Sequence, residues 1–279
     1  MYALIVISGL TVLEAVRRKF IYAGALICGL FVIGAYIPIH PHGGVFFSDE
    51  DMKPLIAAVM ASRGSSMIAF FGFLFAVALS AGAVSGEVER GVLSVIVSKP
   101  VTRSSIYLGK WLGVNLFVAP FILLWTGILQ WAIWKHVAYT VPGLWRADAV
   151  IILYPAVFSA LTLLFSTLTS TLLATILPLI VASTAWSEGM LKFFAHLFDV
   201  ETLRVMAHAV VYVAPLNPLS RWVERILDQP MLNRLAMLMR FGDKPDPRAS
   251  AVDLWWILGY CAITLAAGLW IFARRDLAS

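Results

Sequence analysis

The sequence predicts an all-α polytopic membrane protein. Six transmembrane helices are expected, with an N-terminal helix lying along the membrane surface and a short cytoplasmic helix between spans two and three. Three observations carry this. The 279 residues are 61% hydrophobic and only 13% charged, about half the charged share of a soluble domain. The apolar residues gather into runs of about 20, the length that crosses the hydrocarbon. The basic residues stand at the edges of those runs, where they set topology.

Spans are expected at about 20–38, 64–85, 106–133, 149–168, 172–190 and 254–273, within a single membrane domain covering 1–279. The stretch from Ala149 to Ser187 has no charge over 39 residues. As one helix it would be about 58 Å long at 1.5 Å per residue, nearly twice the thickness of the hydrocarbon. It is therefore read as two spans with a turn in Ser166-Thr167-Leu168-Thr169-Ser170-Thr171. Pro178 falls inside the fifth span and is a place for a kink. Trp111, Trp131, Trp134, Trp145, Trp186, Trp255 and Trp270 flank the spans as interface anchors.

Residues 2–19 turn from apolar to basic, ending in Arg17, Arg18 and Lys19. They read as an interfacial helix, or as an extension of the first span. Arg17, Arg18, Lys19, Arg90, Lys99, Arg103, Lys110, Arg274 and Arg275 fall on one side of the spans; Lys53, Arg63, Lys135 and Arg146 fall on the other. Nine against four places both termini in the cytoplasm of a multi-pass cell-membrane protein, the inner membrane in a bacterium. The outer segment, 191–253, is broken by Pro215, Pro218, Pro230, Pro245 and Pro247. Short surface helices are expected at 219–229 and 231–240, and a re-entrant or surface hairpin at 205–219.

The most informative segment is 86–110, a polar island holding Glu87, Glu89, Arg90, Lys99, Arg103 and Lys110 between two uncharged runs. Residues 87–98 suit a short helix. Glu87, Arg90, Gly91, Ser94 and Ser98 share a polar face, Val88, Val92, Val95 and Ile96 an apolar one. Pro100 ends it, and a new helix starts near 102–104. On these grounds alone the segment reads equally as a solvated loop.

Other chemistry is sparse. Cys28 and Cys261 lie inside apolar runs as small core residues. His40 and His42 flank a proline, without the carboxylates or thiols that would complete a metal site. Asn115 and Gln130 are polar positions in the third span, read as interhelical hydrogen-bonders or as cavity-lining residues. Glu188 ends the fifth span and either faces a cavity or marks the membrane surface. No Gly-x-x-x-x-Gly-Lys-Ser/Thr phosphate loop is present: Gly109-Lys110 lacks the upstream glycine and is followed by Trp111. The basic residues form no stripe of the kind that binds nucleic acid, so no nucleic-acid partner is expected.

The island resembles the signature of the ABC-2 type exporter permeases. Their Glu-x-Glu-x-Gly-x-Leu, Pro-x-x-Arg and Gly-Lys elements match Glu87, Glu89, Gly91, Leu93, Pro100, Arg103, Gly109 and Lys110. The match covers about 25 residues, with agreement of layout elsewhere; Ser94 and Lys99 depart from the pattern. The resemblance implies that the helix between spans two and three is a coupling helix docking on a separate ATPase chain. Glu87, Glu89 and Arg90 would pair with that chain, while Arg103 and Lys110 would hold the helix against headgroups or the first spans. It further implies a second permease copy, identical or related, contact with membrane lipids, and no cofactor in this chain, because ATP and magnesium would bind the ATPase. The cargo is not legible. A subunit that passes motion to a periplasmic partner without carrying a substrate remains an alternative, as does an ion-coupled secondary transporter. The latter usually needs ionisable groups within its spans.

Overall fold

The computed structural model describes residues 2–36, 53–89, 102–198, 200–213, 215–227 and 250–274. Among the described residues the chain forms eleven helices and no strand. They are α1 (Tyr2–Arg17), α2 (Phe20–Tyr36), α3 (Lys53–Ala81), α4 (Ser85–Glu89), α5 (Arg103–Val137), α6 (Leu144–Ile151), α7 (Leu153–Leu168), α8 (Thr171–Phe198), α9 (Glu201–Val213), α10 (Leu216–Leu227) and α11 (Ala251–Arg274). Backbone polar groups in hydrocarbon must be satisfied within the segment, and helices do this.

Four segments are long and apolar enough to span: Ile56–Val88, Arg103–Val137, Leu144–Leu168 and Ala251–Arg274. Two shorter apolar helices, Phe20–Gly34 and Thr171–Thr184, join them. The turn between the fourth and fifth expected spans falls at Thr169–Ser170, inside the stretch the sequence nominated. Boundaries move elsewhere. The second expected span starts eleven residues earlier, at Lys53, and stops at Ala81. The fourth starts at Leu144 rather than 149, because Asp148 finds a donor inside the bundle: Thr126 Oγ1 donates to Asp148 Oδ1 at 2.7 Å. In place of a hairpin at 205–219 the chain runs through α9, turns at Pro215 and enters α10. The helix expected at 231–240 lies outside the described residues, as do His40 and His42.

α1 is a helix of its own, not the start of α2. Lys19 adopts a left-handed backbone (φ 66°) that ends one ladder and opens the next. The Arg18 N–H still reaches Glu14 O at 2.8 Å, and the two side chains form an exposed ion pair at 2.6 Å. α1 packs along the first turns of α5, which is capped by Thr102, whose side chain accepts from Ser105 N. The approach is close because Gly109 and Gly113 face it. A Cβ at Gly113 would lie 2.7 Å from Ser8 O, and one at Gly109 would lie 2.8 Å from Ile7 Cβ. Small residues four apart are the usual means of close helix contact in membranes.

α5, with 35 residues, is about 52 Å long at 1.5 Å per residue. It is the central post, packing on α1, α2, α3, α6, α7 and α11. Trp125 in α5 is fully buried. Phe31 stacks on it at 6.3 Å, Phe71 and Phe75 meet it edge-on at 6.2 and 5.8 Å, and its Nε1 donates to Cys28 Sγ at 3.0 Å. The expected core cysteine thus also serves as an acceptor. At the far end, α10 packs on α3, α6 and α11 through Leu219, Val223 and Leu227. Arg221 pairs there with Asp253 at 3.2 Å, and Trp222 Nε1 donates to Ser250 O.

Substituting Gly113→Ala should destabilise the protein by about 1–3 kcal/mol through overpacking. Gly29→Ala, whose Cβ meets nothing within 4 Å, should be neutral or stabilising by up to about 1 kcal/mol. Thermal unfolding of the detergent-purified variants measures both; equal midpoints would remove the argument for tight α1–α5 contact.

Candidate functional site

The sequence Ser80-Ala81-Gly82-Ala83-Val84-Ser85-Gly86 lets α3 stop at Ala81 and α4 begin at Ser85. Ala83 N→Ser80 O (3.1 Å), Glu87 N→Val84 O (3.1 Å) and Val88 N→Val84 O (3.0 Å) continue the local backbone pattern. The break leaves Ala81 O, Ala83 O, Val84 N and Ser85 N without their usual helical partners. Other helices supply them. Ser166 Oγ, near the end of α7, donates to Ala81 O at 2.7 Å and accepts from Val84 N at 3.2 Å and Ser85 N at 3.0 Å. Ser85 Oγ donates to Ala81 O at 3.0 Å and lies 2.9 Å from Thr171 Oγ1, at the first residue of α8. Lys110 Nζ, in α5, donates to Ala83 O at 2.6 Å.

Lys110 also pairs with Glu87 of α4, Nζ to Oε1 at 2.6 Å, with both side chains nearly enclosed (6% and 11% exposed). Two charges removed from water this far must be held by geometry and extra hydrogen bonds. The Ala83 carbonyl supplies one. Glu87 Oε2 has no hydrogen-bond partner among the described residues.

Arg103, in the first turn of α5, donates through Nη1 to Phe272 O and Ala273 O, both at 3.3 Å. It caps the carbonyl end of α11, where a cation is favoured by the helix dipole. Arg274 lies 4.1 Å over the Trp270 ring. One end of the bundle thus gathers the ends of α3, α5, α7, α8 and α11 around α4.

The residues of the sequence motif fare differently. Glu87 and Lys110 come together at this junction, while Arg103 grips the end of α11 and Gly109 faces α1. Glu87 and Lys110 face each other, so Glu87 points inward rather than outward, and Lys110 holds the bundle rather than headgroups. Glu89 is the last residue of α4. Arg90, Gly91, Leu93 and Pro100 lie outside the described residues. Asn115 bridges helices: its Nδ2 donates to Trp111 O at 2.8 Å and to Ser159 Oγ of α7 at 3.1 Å. Gln130 is half-buried, and both its amide atoms lack partners among the described residues. Glu188 lies in the second half of α8. Among the described residues no group of three or more His, Cys, Asp or Glu could hold a metal ion.

Sequence reasoning missed Ser85, Ser166 and Thr171 as a unit. Ser166 and Thr171 bounded the expected turn, but their alignment with the break after Ala81 appears only in three dimensions.

A helical bundle with four segments long and apolar enough to cross a membrane defines a multi-pass membrane protein. The chain belongs to the ABC-2 family: the profile described as "ABC-2 family transporter protein" matches residues 7–277. It is also similar to the probable ABC transporter permease protein NosY of Pseudomonas aeruginosa, 28% identical over 282 residues, covering 95% of each chain. It is thus a transmembrane ABC transporter subunit.

Removing one partner of the enclosed pair strands the other. Lys110→Met should destabilise the protein by about 3–5 kcal/mol, whereas Lys110→Met with Glu87→Leu should recover most of the loss. A double-mutant cycle on unfolding midpoints measures the coupling; an additive result would show that the two side chains do not interact.

Proposed function

We propose that the chain is the six-span permease subunit of an ATP-driven exporter in the inner membrane, with hydrolysis performed by a separate ATPase chain that docks on the segment after α4. The observation that carries this is the Glu87–Lys110 pair, 2.6 Å long and enclosed. It joins the first residues of the family motif to its last, so a force applied between them enters α5 directly. Glu89 and Arg90 take the outward docking role, while Glu87 acts as an internal link. The junction end carries most of the topology-setting basic residues, which supports its placement in the cytoplasm with both termini. The absence of a phosphate loop from the sequence supports a division of labour with the ATPase, which would hold ATP and magnesium. A second permease copy, identical or related, would complete the path through the membrane.

A second reading, motion passed to an outer partner without cargo, is favoured by one observation: α10 is pinned to both α6 and α11, so movement of the spans reaches the far surface.

Co-expression with an ABC-type ATPase, sought among the reading frames that neighbour the gene, tests the reading. The two chains should co-purify, and a membrane-impermeant thiol reagent should label an Arg90→Cys variant only in inside-out vesicles. Glu87→Gln should keep the complex but lower ATP-driven transport, while Glu89→Lys with Arg90→Glu should weaken assembly about tenfold or more. Labelling from outside, or no partner ATPase, would refute it.

A further inference from the structure

The enclosed ion pair connects α4 to α5 alone, yet the same short helix is tied to the other half of the bundle by different atoms. Ser166 is fully buried and makes hydrogen bonds to both sides of the break, to Ala81 on α3 and to Val84 and Ser85 at the start of α4. Thr171 closes the arrangement. Its hydroxyl meets Ser85 Oγ at 2.9 Å, and its Cγ2 stands 3.4 Å from where a Cβ on Gly82 would be. Ser166 and Thr171 stand either side of the tight turn at Thr169–Ser170, which passes the chain directly from α7 into α8. The polar side-chain links of α4 run two ways, a charge pair toward α5 and a hydroxyl cluster toward α7 and α8, while Val88 packs on an apolar cluster of Val84, Ile106, Tyr107, Leu163 and Phe272.

We infer that Ser166 and Thr171 are positioning residues of the coupling, a second branch that delivers displacement of α4 to the α7–α8 hairpin while Glu87–Lys110 delivers it to α5. This rests on the proposal above that an ATPase moves the segment after α4. Neither hydroxyl needs to touch cargo or nucleotide. Their part is to make the base of α4 rigid with respect to the hairpin. A buried hydroxyl is suited to this, because removing that of Ser166 strands Val84 N and Ser85 N and leaves Ala81 O with Ser85 Oγ as its remaining side-chain donor.

The test separates the branches. In the complex with its ATPase, reconstituted in lipid nanodiscs in a Cys28→Ser, Cys261→Ser background, a spin label is placed either at Leu197→Cys on α8 or at Trp134→Cys on α5; both positions are exposed. The readout is the label's spectral change on trapping with ATP and vanadate. Ser166→Ala and the milder Thr171→Val, which keeps the methyl against Gly82, should each reduce the response at 197 by about fivefold or more and leave that at 134 near wild type. Lys110→Met with Glu87→Leu should do the reverse. A general loss of folding would lower both labels together. Wild-type-sized responses at 197 in both hydroxyl variants, or parallel loss at both labels, overturn the inference. A wild-type complex in which neither label responds overturns the underlying proposal as well.

Discussion

Interrupting a helix beside lipid exposes carbonyls and amides that no solvent will satisfy. That constraint organises this protein. The break after Ala81 is tolerated because Ser166, Ser85 and Lys110 reach its freed backbone groups. Lys110 can serve there only if its charge is neutralised, which Glu87 does. The requirement explains why a lysine, a glutamate and two hydroxyl side chains from three helices converge on one point of a chain that is otherwise uncharged over long stretches. It also makes α4 a structure held from outside: five residues are too few to sustain a helix unaided.

The rest of the bundle is arranged so that α5 can receive this load. Its small face admits α1, its aromatic face is gripped by Phe31, Phe71 and Phe75 around Trp125, and Asn115 ties it to α7. Several hydroxyls in the spans spend their hydrogen bonds locally, as Thr162 does on Phe158 O. Thr126 and Ser159 link helices through other side chains, Asp148 and Asn115. Ser166 instead serves backbone groups of another helix.

Much of this was legible in the sequence. Apolar runs placed the helices, since their lengths follow from the thickness of hydrocarbon. The 39-residue uncharged stretch had to fold back, and it did so where hydroxyl residues cluster. The resemblance in 86–110 found Glu87 and Lys110. It did not find that they face each other, because 23 residues separate them in sequence and no helical period joins them. Asp148 shifted a boundary for a related reason. A carboxylate reads as an edge until a donor such as Thr126 is known to stand opposite it. The same holds for Lys19: nothing in its chemistry announces a left-handed backbone, and only the packing of α1 back on α5 requires one.

Arg103 gives the arrangement a practical side. By gripping the Phe272 and Ala273 carbonyls of α11 from the first turn of α5, it makes the end of α11 an extension of the post at the bundle's centre. A fluorescent reporter joined there by a short stiff linker would ride on that post, and its orientation would follow every tilt the post makes.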